Sequence, residues 1–254
     1  MERSRGRRNR PGLSTRESVL LEFTLTPLAP AARARTAYRV LRTNQVDEYD
    51  EAVSLEAVVL AARRRPGENF QGTARRAAKI SIADAAFEEF NDLKDLITSM
   101  PDEEDMTHHN PPITVERTSN RVAEERRNVR VRVFLYAASR EDDNDFHLIV
   151  GRAPNLQPVY MTMEVSGLPP SNNRHRATLK QARDDYKAFF QDHPLGLPSA
   201  SYDFYDPPIP VEIEGSLFFD MSHVNGGRPG PQDLRDDIPT IWEVHPVTRI
   251  VFEP

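Results

Sequence analysis

Regular alternation of apolar residues in the middle of the chain constrains its fold more than any other feature. The stretch NVRVRVFLYAAS covers residues 128–139. One phase of the alternation is aliphatic: Val129, Val131, Val133 and Leu135. The other phase holds two arginines and two aromatic residues: Arg130, Arg132, Phe134 and Tyr136. Because successive side chains of a strand point to opposite faces, the pattern predicts a long β-strand with one face in a core.

Four more strand signals and one helix signal follow in the C-terminal half. The run EDDND predicts a turn, because Asp and Asn side chains bond to nearby backbone. FHLIVG and VYMTMEVSG predict a second and a third strand, and ATLKQARDDYKAFF predicts a helix over 177–190. IPVEIEGSLFFD predicts a fourth strand with a bulge at Gly215, and the closing segment PTIWEVHPVTRIVFEP predicts a fifth.

The predicted order β-β-β-α-β-β is that of a five-stranded OB-like barrel, so the expected fold class is mainly β (α+β), with the barrel at residues 113–254. Barrel closure would leave none of these short strands with an unpaired edge. We expect the first strand to pair with the second and fourth, and the fifth to close against the first. Trp242, in the inner phase of the last strand, is expected to be buried against Phe146, Leu148 or Phe219.

The N-terminal half has weaker patterns. Residues 1–18 are arginine-rich without an apolar pattern and are predicted to be a basic disordered tail. Residues 19–112 are predicted to form an irregular, partly helical region, in which SVLLEFTLTPL indicates a short strand and SLEAVVLAARRR a short helix. A second helix is predicted over 87–100 from apolar residues at helical spacing: Phe90, Leu93, Ile97 and Met100. The acidic, proline-rich run PDEEDMTHHNPP after it predicts a linker.

Composition excludes several classes of site. The 254 residues include no cysteine, so disulfides, thiolate catalysis, zinc fingers and iron–sulfur clusters are excluded. The net charge of −6 disfavours nucleic acid and favours a protein partner or an oligomer. No stretch approaches the roughly 18 unbroken apolar residues of a membrane helix. No apolar run follows Arg10, so no secretory signal or membrane association is predicted, and a cytoplasmic location is expected.

Four short motifs occur in order in the C-terminal half: DNDFHLIVG, MTMEVSGLP, GSLFFDMSH and WEVHPVT. As a set they resemble a group of uncharacterised bacterial proteins with motifs of the form D-x-H-L, F-F-D-x-x-H and E-x-H-P-V. The resemblance covers residues 121–252. It implies a shared domain and does not imply a reaction.

The same motifs supply the candidate ligand-binding residues, which are polar or titratable: His147, Glu164, Asp220, His223, Arg228, Glu243 and His245. Strand alternation places Asp145 and His147 opposite the inner face of the second strand, and Glu243 and His245 opposite the inner face of the last. The simplest interpretation is therefore that these residues form the solvated exterior of a barrel, without a function.

Two other interpretations stay open. The residues could converge on a site, because Asp, Glu and His are the ligands that a cysteine-free protein offers to Mg²⁺, Mn²⁺ or Zn²⁺, and Arg228 could receive a phosphate. Alternatively, Asp220 and His245 could be structural and bond to loop backbone such as that of NGGRPGP. No pair has a diagnostic metal-ligand spacing, so no metal or other cofactor is assigned, and a divalent cation is kept as the alternative.

Three functions remain compatible with the sequence. The first is a binding or interaction module whose ligand is a protein, an oligonucleotide or a saccharide. The second is a metal-dependent phosphodiesterase or nuclease that uses the His, Asp and Glu residues. The third is a purely structural partner.

Overall fold

The computed structural model describes residues 36–46, 67–224 and 227–254, and this part of the chain is mainly β. Its seven strands are β1 (Arg39–Arg42), β2 (Phe87–Phe90), β3 (Asn128–Arg140), β4 (Phe146–Gly151), β5 (Tyr160–Val165), β6 (Asp203–Phe219) and β7 (Trp242–Phe252). Its α-helices are α1 (Arg76–Lys79), α2 (Leu93–Thr98), α3 (Glu103–Thr107), α4 (Arg176–Asp192) and α5 (Gln232–Arg235). Two 3-10 turns are η1 (Ala123–Glu125) and η2 (Met221–His223). None of these helices combines the length and apolar character needed to cross a bilayer.

The strands form one sheet in which the pairings run from β3 through β4, β5, β7 and β6 and back to β3. β3 is antiparallel to both β4 and β6. β5 is antiparallel to β4 and parallel to β7, and β7 is antiparallel to β6. β1 and β2 extend the sheet beside β6 and β3. The predicted pairing of the first strand of the C-terminal half with the second and fourth is confirmed.

The expected neighbour of the last strand was wrong. β7 lies between β5 and β6 instead of closing against β3, because the chain reverses after β6 and comes back along it in antiparallel register. The sequence-predicted fourth and fifth strands are therefore neighbours. This brings the end of β6, with Asp220, beside the start of β7, with Glu243: Phe218 is the register partner of Glu243.

The inner phases predicted from alternation form the apolar core. Val129, Leu148, Met163 and Val244 are fully buried in it, and α4 packs Tyr186 against Phe146. Trp242 is 1% exposed, and its ring lies edge-on to Phe219 with centroids 5.2 Å apart, so its predicted burial is confirmed. Its indole N–H donates a 3.0 Å hydrogen bond to the carbonyl of Pro101. The helix predicted over 177–190 is also confirmed, and the register of β6 shifts at Gly215 as expected for a bulge.

Three N-terminal predictions have different outcomes. The helix predicted over 87–100 is half correct: α2 begins at Leu93, but Phe87–Phe90 is strand β2, because it pairs in parallel with β3. The segment predicted as a linker instead contains α3, whose Met106 is buried and whose Glu103 accepts a hydrogen bond from the Ile241 amide. Residues 1–35, which include the predicted tail and first strand, and the helix predicted at 54–65 lie outside the described residues.

A stretch before β2 lies over the outer phase of the sheet, and we call residues 67–83 the covering segment. Its Phe70 amide donates to the Leu168 carbonyl at 2.9 Å, and its Gln71 amide donates to the Asp143 carbonyl at 2.8 Å. Near its other end, the Ala83 amide donates to the Ser216 hydroxyl at 2.9 Å. The described residues from Ala37 onward form one compact unit.

Candidate functional site

The polar residues predicted to face solvent are buried. His147 is 1% exposed, Glu164 2%, Glu243 1% and His245 0%. The alternation was read correctly, because these residues do lie opposite the apolar core: His147 is the register partner of Glu164, and Glu243 that of Thr162. The interpretation as a solvated exterior is wrong, because the covering segment lies over this face.

Phe70 shows how closely the covering segment approaches the outer face of the sheet. Its ring meets the imidazole of His245 edge-on, with centroids 6.5 Å apart. A Cβ atom on Gly167 would lie 2.8 Å from the Phe70 Cα, so only glycine lets this segment lie against the loop after β5. Arg121 ties the segment to the last strand, because its Nη2 donates to the carbonyls of both Ala78 and His245.

His245 is the middle of the buried polar group. Its Nδ1 lies 2.6 Å from Oε2 of Glu164 and 3.8 Å from Oε2 of Glu243, and its Nε2 lies 3.3 Å from Oδ2 of Asp145. None of these nitrogen and oxygen atoms has a hydrogen-bond partner of correct direction among the described residues. By distance, Nδ1 of His245 and Oε2 of Glu164 form a buried ion pair, although their geometry is not that of an aligned hydrogen bond.

Asp145 is held in place by a hydrogen bond to the carboxylate oxygen that does not face His245. Its Oδ1 accepts a 2.5 Å hydrogen bond from the Gly167 amide, which leaves Oδ2 directed toward His245. Ligand atoms of Asp145, Glu164 and His245 all lie within 4.8 Å of one another, and all three residues are buried. We call this trio the central trio.

Two further groups flank the central trio. Glu141, His147 and Glu164 form one, in which Nδ1 of His147 lies 2.5 Å from Glu141 and 3.2 Å from the Tyr202 hydroxyl. The central trio and this group share Glu164. The other flanking group contains three residues with ligand atoms within 4.8 Å of one another: Asp220, His223 and Glu243.

Asp220 and His223 are positioned by their own turn. Asp220 directly follows β6 and caps η2, because its Oδ1 accepts the Ser222 amide at 2.8 Å. Its Oδ2 lies 2.6 Å from Nδ1 of His223. The predicted structural role is therefore correct for one oxygen of Asp220, although its backbone partner is Ser222 and not the NGGRPGP loop. Together the central trio and the two flanking groups are called the carboxylate–histidine centre.

Burial and carboxylate repulsion raise pKa values in this centre, and neighbouring cations lower them. Burial, reinforced by the charges of Asp143 and Glu164, raises the pKa of Asp145 well above its ordinary value. Burial likewise raises the pKa of Glu243, and it raises that of Glu141 to about 7. For Glu164, burial is outweighed by the charges of His245 and Lys79, which hold its pKa well below its ordinary value.

Lys79 is the ammonium group nearest to the carboxylates. Its Nζ lies 3.9 Å from Oε2 of Glu164. Burial would lower its pKa, but the charges of Glu164, Asp143 and Asp220 outweigh burial and raise it. A hydrogen bond from His223 and the charge of Lys79 outweigh burial at Asp220 too and lower its pKa. One ammonium therefore lies close to several buried carboxylates, and the charge of Glu164 also raises the pKa of the His245 imidazole against the effect of burial.

Six of the seven sequence-predicted residues belong to the centre, and Arg228 does not. Arg228 lies 2.8 Å from both carboxylate oxygens of Glu103 and so holds α3 in place. Sequence reasoning missed Asp145, Glu141 and Lys79. Asp145 could have been found, because it is in phase with His147 two residues later. Lys79 gave no such signal, since its basic neighbours are typical of a solvated surface.

Comparisons of the chain with known protein families, with curated proteins and with solved structures gave no match. The centre is therefore interpreted from its own geometry.

Proposed function

We propose that this protein is a binding module built on an OB-like barrel and that its ligand is a divalent cation held by the central trio. The barrel is supported by the return of the strand pairings through β3, β4, β5, β7 and β6, with α4 between the third and fourth of the predicted strands. The parallel pairing of β5 with β7 fits that topology.

One observation carries the cation proposal. Asp145, Glu164 and His245 direct polar atoms at one another that have no hydrogen-bond partner among the described residues, although all three side chains are buried. Buried polar atoms without partners cost about 1–3 kcal/mol each, so native proteins seldom keep several together. A cation between them would satisfy the lone pairs of the two carboxylates and of the imidazole.

The ligand types favour particular ions. One imidazole and two carboxylates, without thiolates, suit Zn²⁺ or Mn²⁺ better than Ca²⁺, which prefers oxygen ligands only. The hydrogen bond from the Gly167 amide would orient Asp145 as a ligand. Residues that hydrogen-bond to metal ligands commonly have this role. Glu243 lies 3.8 Å from His245 and is therefore close enough to assist in binding the cation.

The test is the metal content of protein purified without a histidine tag or chelator. We expect about one Zn²⁺ or Mn²⁺ per chain by elemental analysis, and loss of that ion in Glu164→Gln. Titration of EDTA-treated protein with ZnCl₂ or MnCl₂ should show at least about tenfold weaker binding in the same variant. Glu89→Gln is the matched control, because Glu89 is exposed and pairs with Arg130 instead.

The opposite result is equally clear. If EDTA-treated wild type binds neither ion and melts at the same temperature with and without added metal, the centre is a structural ionic network and the cation proposal fails. Binding that is equal in Glu164→Gln and wild type would assign the ion to surface histidines such as His108 and His109.

A metal-dependent phosphodiesterase is the second candidate. It is favoured by a cavity lined by Arg76, Arg117 and Arg176, together with Phe70, whose ring contacts His245 of the centre. We also propose that the protein is cytoplasmic and that it belongs to the uncharacterised bacterial group. A protein partner is proposed as well. The net charge of −6 supports the protein partner over nucleic acid.

A further inference from the structure

A polar cavity of about 640 Å³ is lined in part by the covering segment, including Phe70, whose ring also contacts His245. Among the described residues, its lining includes no Asp or Glu but three arginines: Arg76, Arg117 and Arg176. Side chains able to donate hydrogen bonds also line it, namely Asn69, Gln71, Thr73 and Ser171. The net charge of the chain is −6, whereas all the charged side chains among the described residues that line this cavity are positive.

Two of the guanidinium groups are already fixed by backbone carbonyls. Nη1 of Arg76 donates to the carbonyls of Phe70 at 3.1 Å and Gly72 at 2.9 Å, and its guanidinium carbon lies 5.0 Å from the centroid of the Phe70 ring. Arg176 donates through Nη1 to the Pro169 carbonyl. Because each guanidinium has five N–H donors, both keep donors for a ligand.

Arg117 is the unpartnered member of the three. Its guanidinium has no hydrogen bond or ion pair with any described residue, whereas its backbone carbonyl is held by the Ala77 amide at 3.1 Å. Burial lowers the pKa of Arg76, and the charge of Arg117 lowers it further, while Asp143 and Asp145 act in the opposite direction. The two arginines thus repel each other across the cavity, which a bound anion would relieve.

We propose that this cavity binds the phosphate group of a small phosphomonoester. A phosphate dianion matches the charge and the forked donors of several arginines better than a single carboxylate does. Phe70, Leu168 and Pro170 supply an apolar wall for the organic part of the molecule. The volume suits a ligand of a few hundred cubic ångströms and not an extended chain.

The proposal does not depend on a metal in the central trio, so it is tested with EDTA present. Calorimetric titration at low ionic strength uses phenyl phosphate as the probe and benzoate as a monoanion with the same ring. We expect phenyl phosphate to bind and benzoate to bind at least about tenfold more weakly, since charge-assisted contacts are lost.

Arg117→Gln is the decisive variant. It should weaken binding of phenyl phosphate by about tenfold or more without lowering the melting temperature, because Arg117 has no partner to lose. Arg126→Gln is the matched control, since it removes one charge from an exposed arginine outside the cavity. Its affinity for phenyl phosphate should equal that of wild type.

Each alternative outcome overturns the proposal. No heat of binding with phenyl phosphate at millimolar concentration excludes the site. Equal losses in both arginine variants would indicate general charge attraction, and equal affinity for benzoate would exclude phosphate selectivity. Tighter binding of a single-stranded 20-nucleotide DNA that also requires Arg117 would assign the cavity to a phosphodiester backbone and favour the second candidate function.

Discussion

The two faces of β4, β5 and β7 are equally buried and chemically opposite. The inner face carries Leu148, Met163 and Val244, and each is fully buried. The outer face carries His147, Glu164 and Glu243, each at most 2% exposed. Burial of the inner face stabilises the fold by about 25 cal/mol per Å² removed from water, whereas burial of charge costs several kcal/mol per ion unless partners compensate. A buried apolar face needs no further explanation, and a buried charged face does.

The largest expected effect is on the inner face. Trp242→Ala should lower the free energy of unfolding by about 3–5 kcal/mol, because it opens a cavity beside Phe219 and removes the hydrogen bond to Pro101. Urea unfolding monitored by circular dichroism measures it. Trp242→Phe, which keeps most of the volume, should cost less than half as much, and an equal loss in both would mean that packing is not the source.

The second expected effect is a metal-dependent gain in stability that requires the outer face of the sheet and not the inner face. At a free Zn²⁺ or Mn²⁺ concentration 100 times the dissociation constant, wild type should gain about 2.7 kcal/mol of stability over the EDTA-treated protein. Trp242→Ala should gain the same increment, because it leaves the central trio intact, whereas Glu164→Gln should gain little. Thermal unfolding with and without metal measures all three proteins. An equal increment in Glu164→Gln would place the ion elsewhere.

Neighbouring residues of β7 allow the sharpest contrast, since Val244 faces the core and Glu243 faces the centre. In EDTA, Val244→Ala should cost about 2 kcal/mol through lost apolar burial. Glu243→Gln should instead raise stability by roughly 1 kcal/mol, because it removes a buried negative charge next to Glu164 and Asp220. Chemical denaturation of both variants in EDTA measures whether each substitution lowers or raises the free energy of unfolding. A loss in Glu243→Gln comparable to that in Val244→Ala would mean that Glu243 makes a stabilising pair in the folded protein.

Much of the fold was predictable because alternation depends only on the local chain. It placed β3, β4, β5 and β7 and their inner phases correctly, and helical spacing placed α4 within two residues at each end. The start of β6 was missed, because the prolines of DFYDPPIP cannot donate to a sheet and were taken as a loop. The strand begins at Asp203 because β1 and β3 pair with it from both sides.

The centre was predictable only in part, because alternation gives the face of a residue and not what covers that face. Six titratable residues were selected correctly, and their burial was missed. That burial depends on contacts of the covering segment with residues far along the chain, such as Phe70 with Leu168. No periodicity within either segment indicates such a contact, and the fit at Gly167 depends on the absence of a side chain.

A surface ion pair supplies the reference for the smallest effect. Arg152 bonds to both oxygens of Asp92, at 2.6–3.0 Å, and the Asp92 side chain is 27% exposed. These bonds, which outweigh burial, lower the pKa of Asp92 below its ordinary value of 3.8. A carboxyl group with a lowered pKa stabilises the folded state above its unfolded pKa, and this contribution is lost as the pH falls through the folded pKa.

Asp92→Asn should therefore cost about 1 kcal/mol or less at pH 7, and the difference from wild type should shrink below about pH 4. Asparagine keeps the cap of α2, because its side-chain oxygen can still accept the Lys94 amide that Asp92 Oδ1 accepts at 2.9 Å. Urea unfolding at pH 7 and pH 3 measures the change, with Asp236→Asn as an exposed carboxyl control. A cost that is the same at both pH values would contradict the charge-pair interpretation. The expected pattern would show that an ion pair with water still in reach contributes little in this fold, whereas the buried centre lacks that solvation.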